Sequence, residues 1–193
     1  PETVLPELPT VVSPEALQVP VGLDASDYDT ELSGSPDLWD DYYVGEKIDH
    51  IDGMTLEEAE HQIATRLYQN TAKVHFDQVA AGAGRFGKRL IYGGHIISLA
   101  RALSFNGLGN AFKIAAINAG AHANPAFAGD TVFAWSEVLD KFELPGRRDL
   151  GALRLRLVAV RDRRASDFPL RTEDGKYHAD VLLDFDYTVL IPR

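Results

Sequence analysis

The chain has 193 residues, 45% of them apolar and 9% aromatic, which is enough to bury a sizeable core and suggests one domain with an appendage. A formal net charge of −10 argues against general nucleic-acid binding, because a phosphate backbone is met by a basic surface, and the lack of cysteine removes disulfides, thiolate nucleophiles and cysteine-bound metals. No run approaches the roughly 18 to 20 unbroken apolar residues of a membrane-spanning helix, and the first residues show neither a basic nor an apolar leader-like region, so a soluble, cytoplasmic protein is expected.

Residues 1–37 hold Pro1, Pro6, Pro9, Pro14, Pro20 and Pro36 among small and polar residues, which favours an extended linker or arm. The apolar residues among them (Val4, Leu5, Leu8, Val11, Val12, Leu17, Val19, Val21 and Leu23) are too many for a solvated linker, so the arm should lie on a folded surface. The folded domain is expected to run over 38–193. It opens with a loop and short strand over 39–52, turning at Val44-Gly45-Glu46-Lys47. Thr55 and Glu58 have capping-box spacing, and Leu56, Ala59, Ile63 and Leu67 recur at helical spacing, predicting a helix over 56–68 that buries that stripe. A loop containing Gly82, Gly84 and Gly87 follows. Residues 94–105 are apolar on nearly every side, as in a central helix buried all round. Four antiparallel strands are expected over 111–123, 131–139, 152–160 and 181–191, divided by Pro125 and Gly129-Asp130, by Pro145-Gly146 and by Asp174-Gly175. The sum is an α+β domain whose sheet wraps one helix.

The first candidate for chemistry is His75 in "YQNTAKVHF", since imidazole titrates near neutrality and moves protons readily. Asn70, five residues earlier, has an amide that can hold a water or a substrate oxygen but cannot act as a base. The second is Tyr92-Gly93-Gly94: a glycine pair opening a helix leaves amide N–H groups unobstructed where the dipole favours negative charge, although glycine there can equally serve close packing. His95 reads as a core histidine, His122 as a strand-end residue facing a cleft or a contact between subunits, and His50, His61 and His178 as surface residues. Asp130 reads as a turn residue. Phosphate-loop and dinucleotide fingerprints are missing, and no histidine pair has metal-binding spacing with a carboxylate, so no metal is expected.

Together these pieces resemble the MaoC-like hydratase/dehydratase family. The resemblance covers residues 39–193, with "PAFAGDTV" as its most specific marker. It implies a hotdog fold, a curved antiparallel sheet wrapped around one long helix. The family's active loop carries an aspartate, an asparagine two positions on, a proline and a histidine; the matching positions here are Asn70, Ala72, Lys73 and His75, so the histidine is kept and the aspartate is not. The family's His-Gly pair before the central helix reads Tyr92-Gly93. The implied chemistry is reversible hydration of an enoyl-CoA thioester, with Gly93 N–H on the thioester oxygen and His75 moving the proton. Tyr92, Gly94, Phe76, Lys88 and Arg89 are expected to bind substrate, and Arg161, Arg163 and Arg164 are further candidates for the CoA phosphates. Coenzyme A enters as part of the substrate and no other cofactor is expected. Within the family the nearest resemblance is to two-unit proteins acting on a short, branched, dicarboxylic enoyl-CoA. The start at Pro1 then suggests a second half that pairs with another hotdog unit, in an oligomer. A hydratase of ordinary acyl chains, a thioesterase and a non-catalytic supporting half remain open.

Overall fold

A computed structural model describes residues 10–193; Pro1, Pro6, Pro9, Val4, Leu5 and Leu8 lie outside them. The elements in chain order are α1 (Thr30–Ser33), β1 (Lys47–Thr55), α2 (Glu58–Leu67), α3 (Gln78–Gly82), α4 (Gly93–Leu103), α5 (Phe105–Leu108), β2 (Lys113–His122), β3 (Thr131–Glu143), β4 (Leu150–Arg161) and β5 (Val181–Pro192). The strands form one antiparallel sheet in the order β1-β3-β4-β5-β2.

Alternation along the central strands decides which face meets the helix. Leu153, Leu155, Leu157 and Ala159 of β4 and Leu183, Phe185, Tyr187, Val189 and Ile191 of β5 point to one side, where they form the main core with Ile96, Ala100 and Leu103 of α4. The helix is buried on that stripe and at His95, with Ser98 and Ala102 exposed, so the expectation of burial all round is corrected. Gly94 to Leu103 has an apolar majority, interrupted by His95, Ser98 and Arg101, and composition alone does not tell a helix buried all round from one packed on a single side. On the opposite sheet face the intervening residues carry charge: Arg154 pairs with Asp186 at 2.5 Å, and Arg156 with Asp184 at 3.1 Å and Glu137 at 3.2 Å.

The two ends of that outer face are covered. Leu17 and Ala25 from the arm pack with Leu144, Leu150, Ala152 and Leu190, while Val12 N–H donates to Asn118 Oδ1 (3.1 Å) and Ala25 N–H to Asp149 Oδ2 (2.9 Å). At the other end Ala165 joins Trp135, Val158, Val160 and Val181. Trp39 anchors the start of the domain: its indole N–H donates to Ala152 O at 3.0 Å, and its ring fills the place where Gly151 lacks a side chain.

The α2 region departs most from expectation. Thr55 ends β1 with its hydroxyl on Thr131 (3.0 Å), Glu57 is the N-cap without a side-chain bond, and no capping box forms. Leu56 is buried, but Ile63 and Leu67 are 57% and 70% exposed, and α2 instead buries His61 and Thr65. The apolar stripe therefore faces away from this chain's own core. His50 is also buried rather than superficial. In the neutral ring Nδ1–H donates to Asn106 O (2.6 Å) and Nε2 accepts from Ser136 Oγ (2.8 Å), and burial pushes its pKa down to about 4.

Candidate active site

The loop after α2 is shaped by local bonds. Asn70 N–H returns to Thr65 O (3.0 Å), and Asn70 Oδ1 accepts from Ala72 N–H (2.9 Å), the short turn that this side chain favours. The chain then makes a 3-10 turn, Lys73–His75. Leu90 N–H donates to Val74 O (3.1 Å), drawing this turn alongside the segment that leads into α4. His75 Nδ1 lies 3.1 Å from Leu90 O. A carbonyl only accepts, so Nδ1 carries the hydrogen and the Nε2 of the neutral ring keeps its lone pair. That is the tautomer a base requires.

His61, read from the sequence as superficial, supports this loop from below. Its Nδ1 accepts Tyr92 N–H at 3.1 Å, so its Nε2 carries the hydrogen and donates to His75 O at 2.8 Å. Thr65 Oγ donates to His61 O at 2.8 Å, and Gln62 adds a second donor to His75 O, also at 2.8 Å. Burial lowers the His61 pKa, which favours the neutral ring these two bonds need. No local sequence signal marks His61 for this role, since its partners lie 14 and 31 residues away.

Tyr92 is the N-cap of α4, and Gly93 and Gly94 form its first turn, whose amides have no carbonyl within the helix to donate to. An imagined Cβ on Gly93 would fall 2.5 Å from Nε2 of His122, so the Nε2 end of that imidazole packs against the glycine. The close-packing role of this glycine is thus real, and the group packed on it is polar. His75, Gly93 and His122 line one cavity of about 360 Å³ together with Leu90, Ile96, Asn124, Pro125 and Leu182. Its walls are mainly apolar, as befits a site that keeps water out except where it is used. His122 has its pKa lowered by burial first and by His75 second.

Other expected site residues stand elsewhere. Asn70 and Phe76 line a different hollow of about 410 Å³ with Gln62, Thr65 and Arg66, so the structure does not bring Asn70 together with His75 at the cavity, and its side chain is spent on the turn. The ring of Tyr92 packs edge-on to His75 at 6.0 Å, and Gly94 lies under the Tyr92 ring. Arg89 is paired with Glu58, while the Lys88 ammonium sits 4.1 Å from the centre of the Phe127 ring. Arg161 bonds Pro125 O at 2.9 Å, Arg163 pairs with Asp167 and Asp180, and Arg164 bonds Ile51 O at 2.6 Å, so these three are already engaged. A wider hollow of about 900 Å³ surrounds Pro145 and Gly146, but its Arg147 and Arg193 are tied to Asp149, Asp40 and Glu143, and Glu143, the carboxylate on its wall, is thereby paired. His95 is buried with Nε2 unpartnered among the described residues, so the core reading holds for its burial and not for its hydrogen bonding. Asp130 does accept its turn's amide, Phe127 N–H, at 2.9 Å. Among the described residues no group of three His, Asp or Glu side chains could hold a metal ion, and no helix is long and apolar enough to cross a membrane.

A five-stranded antiparallel sheet packed around one helix is the hotdog architecture, and the chain is one hotdog unit. No family model matches it. Along its full 193 residues it is 62% identical to the β-methylmalyl-CoA dehydratase of Chloroflexus aurantiacus, and over 195 aligned positions 61% identical to the mesaconyl-CoA hydratase of Cereibacter sphaeroides. The chain spans 55% of the length of each of these relatives. A solved structure of a MaoC domain protein from Chloroflexus aurantiacus superposes on all of it with a TM-score of 0.94 at 62% identity, and the chain again covers 55% of that molecule. A double-hotdog protein from Mycobacterium tuberculosis shares the fold at a TM-score of 0.55 and 21% identity, over 81% of this chain and 44% of that one.

Proposed function

We propose that the chain is one hotdog half of an enzyme that reversibly adds water to a short enoyl-CoA thioester, with mesaconyl-CoA and β-methylmalyl-CoA as the substrate pair. The observation that carries this reading is the meeting of His75, with Nε2 left as a base, and the N-terminal turn of α4 at one largely apolar cavity. In the hydration direction a water oxygen bonds to the β-carbon of the conjugated double bond while His75 Nε2 takes its proton. The electron pair moves onto the thioester oxygen, which Gly93 N–H and the helix dipole stabilise as an enolate. The imidazolium then returns the proton to the α-carbon, so one water is added and His75 is regenerated. The substrate brings the coenzyme A, and the scheme invokes no other cofactor.

The identity with the two named relatives supports the choice of substrate, and their extra length supports a second hotdog unit as partner. Edge strand β2, with Ile114 and Ile117 exposed, and the outward stripe of Ile63 and Leu67 are surfaces such a unit would cover. Absence of cysteine fits a cytoplasmic location. The occupation of Asn70 in its own turn, where the family has an aspartate, favours one competing reading, a supporting half whose partner holds the chemistry. Loss of conjugated thioester absorbance in the assembled two-unit protein separates the two. We expect His75→Ala to lower turnover of mesaconyl-CoA by about 100-fold or more, the usual size for a lost general base; unchanged turnover would move the active site to the partner unit.

A further inference from the structure

We infer that His122 is a second hydrogen-bond donor to the thioester oxygen, acting beside Gly93 N–H to hold the enolate formed during hydration. The inference rests on the function proposed above and adds a catalytic residue to it.

Placement carries the argument. His122 is the last residue of β2, and its ring projects over the start of α4 with Nε2 as the atom nearest to the missing Gly93 side chain. The same imidazole lines the cavity that His75 faces. A thioester oxygen taken up by the first amides of α4 comes to rest against Gly93, where His122 Nε2 is the adjacent side-chain atom. Chain topology produces the meeting: β2 pairs with β5 up to His122↔Leu183, and the Asn124 amide fixes the next turn by donating to Val181 O (2.8 Å) and His178 O (3.2 Å). Ala123 N–H to Leu182 O (3.0 Å) and Ile91 N–H to Ala126 O (2.9 Å) tie the same segment to β5 and to the approach of α4. The backbone that carries the histidine is thus held at a fixed edge of the cavity.

Chemistry suits the role. An enolate oxygen gains from a donor that stays neutral and needs no reorganisation, and a neutral imidazole with one N–H meets that requirement. Partial desolvation of the ring and the nearby His75 both disfavour the imidazolium form of His122, which is nonetheless exposed in this chain; the role requires the single hydrogen of the neutral ring on Nε2, and proton transfer is left to His75. His75 differs in the relevant respect, because its Nδ1–H is committed to Leu90 O and its other nitrogen can only accept. One ring takes the proton and the other faces the charge that develops.

The test uses the two-unit protein with mesaconyl-CoA and crotonyl-CoA, in wild type, His122→Ala, His122→Gln and His75→Ala, with near-ultraviolet circular dichroism to confirm folding. His122→Ala should lower kcat about 100-fold, the size found for one lost oxyanion donor, with KM changed less than about threefold. His122→Gln, which keeps an N–H, should recover about tenfold of that loss. The infrared C=O stretch of bound ¹³C-labelled thioester should move to higher frequency in His122→Ala, because the carbonyl is less polarised; this readout does not require turnover. A His122→Ala enzyme within threefold of wild type, beside a His75→Ala enzyme that is inactive, would overturn the inference and leave the proposed function standing. Raised KM with unchanged kcat would overturn it in favour of ground-state binding, such as of the substrate carboxylate. Loss of one limb of the kcat pH profile with the C=O stretch unmoved would overturn it in favour of proton transfer. If both histidine variants stay active, the proposed function falls and the inference with it.

Discussion

His61 donates its Nε2–H to the backbone oxygen of His75 at 2.8 Å, and the same ring accepts Tyr92 N–H at 3.1 Å, so one buried imidazole ties the histidine loop to the N-cap of α4. The two halves of the proposed site come from separate elements, and this ring joins them beside the bonds that Leu90 makes to Val74 and His75. Replacing it leaves a buried amide unpaired and opens a hole, which should cost about 2 to 3 kcal/mol in His61→Ala. Gln62→Ala removes only the second donor to His75 O and should cost less than about 1 kcal/mol, because His61 still serves that carbonyl. Urea denaturation of both variants checks the order; equal losses would mean that the ring is not the main tie. Since His61 acts through His75, its loss should lower kcat, with Gln at position 61 restoring part of it.

Gly93→Ala tests the cavity itself. A methyl group there would fall where the His122 ring lies, yet that ring stands at a strand end and can swing away, and alanine is a better helix former than glycine. Stability should therefore change by less than about 1 kcal/mol while turnover falls by about 100-fold, because the displaced ring and the new methyl obstruct the place of the thioester oxygen. Turnover within threefold of wild type would show that the reaction takes place elsewhere.

Asn70→Asp should change little. The Oδ1 acceptor that closes the turn onto Ala72 N–H is retained, and the side chain is not part of the cavity that contains His75. Turnover within about threefold of wild type and unchanged stability are expected. A rise in activity towards crotonyl-CoA would instead mean that the carboxylate reaches the water, with the loop rearranged to let it.

The sheet was readable because alternation and turn residues are local signals: Pro145-Gly146 and Gly129-Asp130 fall between the observed strands, and β3 outran its expected end by only four residues, to Glu143. His75 and Gly93, singled out from the loop and from the glycine pair, do line one cavity. The long-range partnerships were not. Nothing near His61 in sequence indicates that its ring will meet the amide of Tyr92, thirty-one residues away, and the Ile63/Leu67 stripe pointed to the wrong face because helical periodicity marks an apolar stripe without saying which surface covers it. His50 was misread for a related reason: its partners, Asn106 and Ser136, come from elements 56 and 86 residues distant.

His50 makes a prediction about acid. Its folded pKa is about 4, against the usual 6.5 or so of an unfolded histidine. Between those values the unfolded chain binds a proton that the folded protein excludes, so this group's contribution to stability is complete above about pH 6.5 and is lost as pH falls towards 4. The slope approaches 1.4 kcal/mol per pH unit in that window. His61, also depressed by burial, adds a loss of the same sign. His50→Gln offers an amide in the same pocket that does not titrate. The variant should be less stable than wild type at pH 7, because its fit to Asn106 O and Ser136 Oγ is poorer, but its stability should fall less steeply between pH 6.5 and pH 4.5. Denaturation midpoints at several pH values measure both slopes; parallel curves would mean that the His50 ring is protonated in the folded protein and that burial does not hold it neutral.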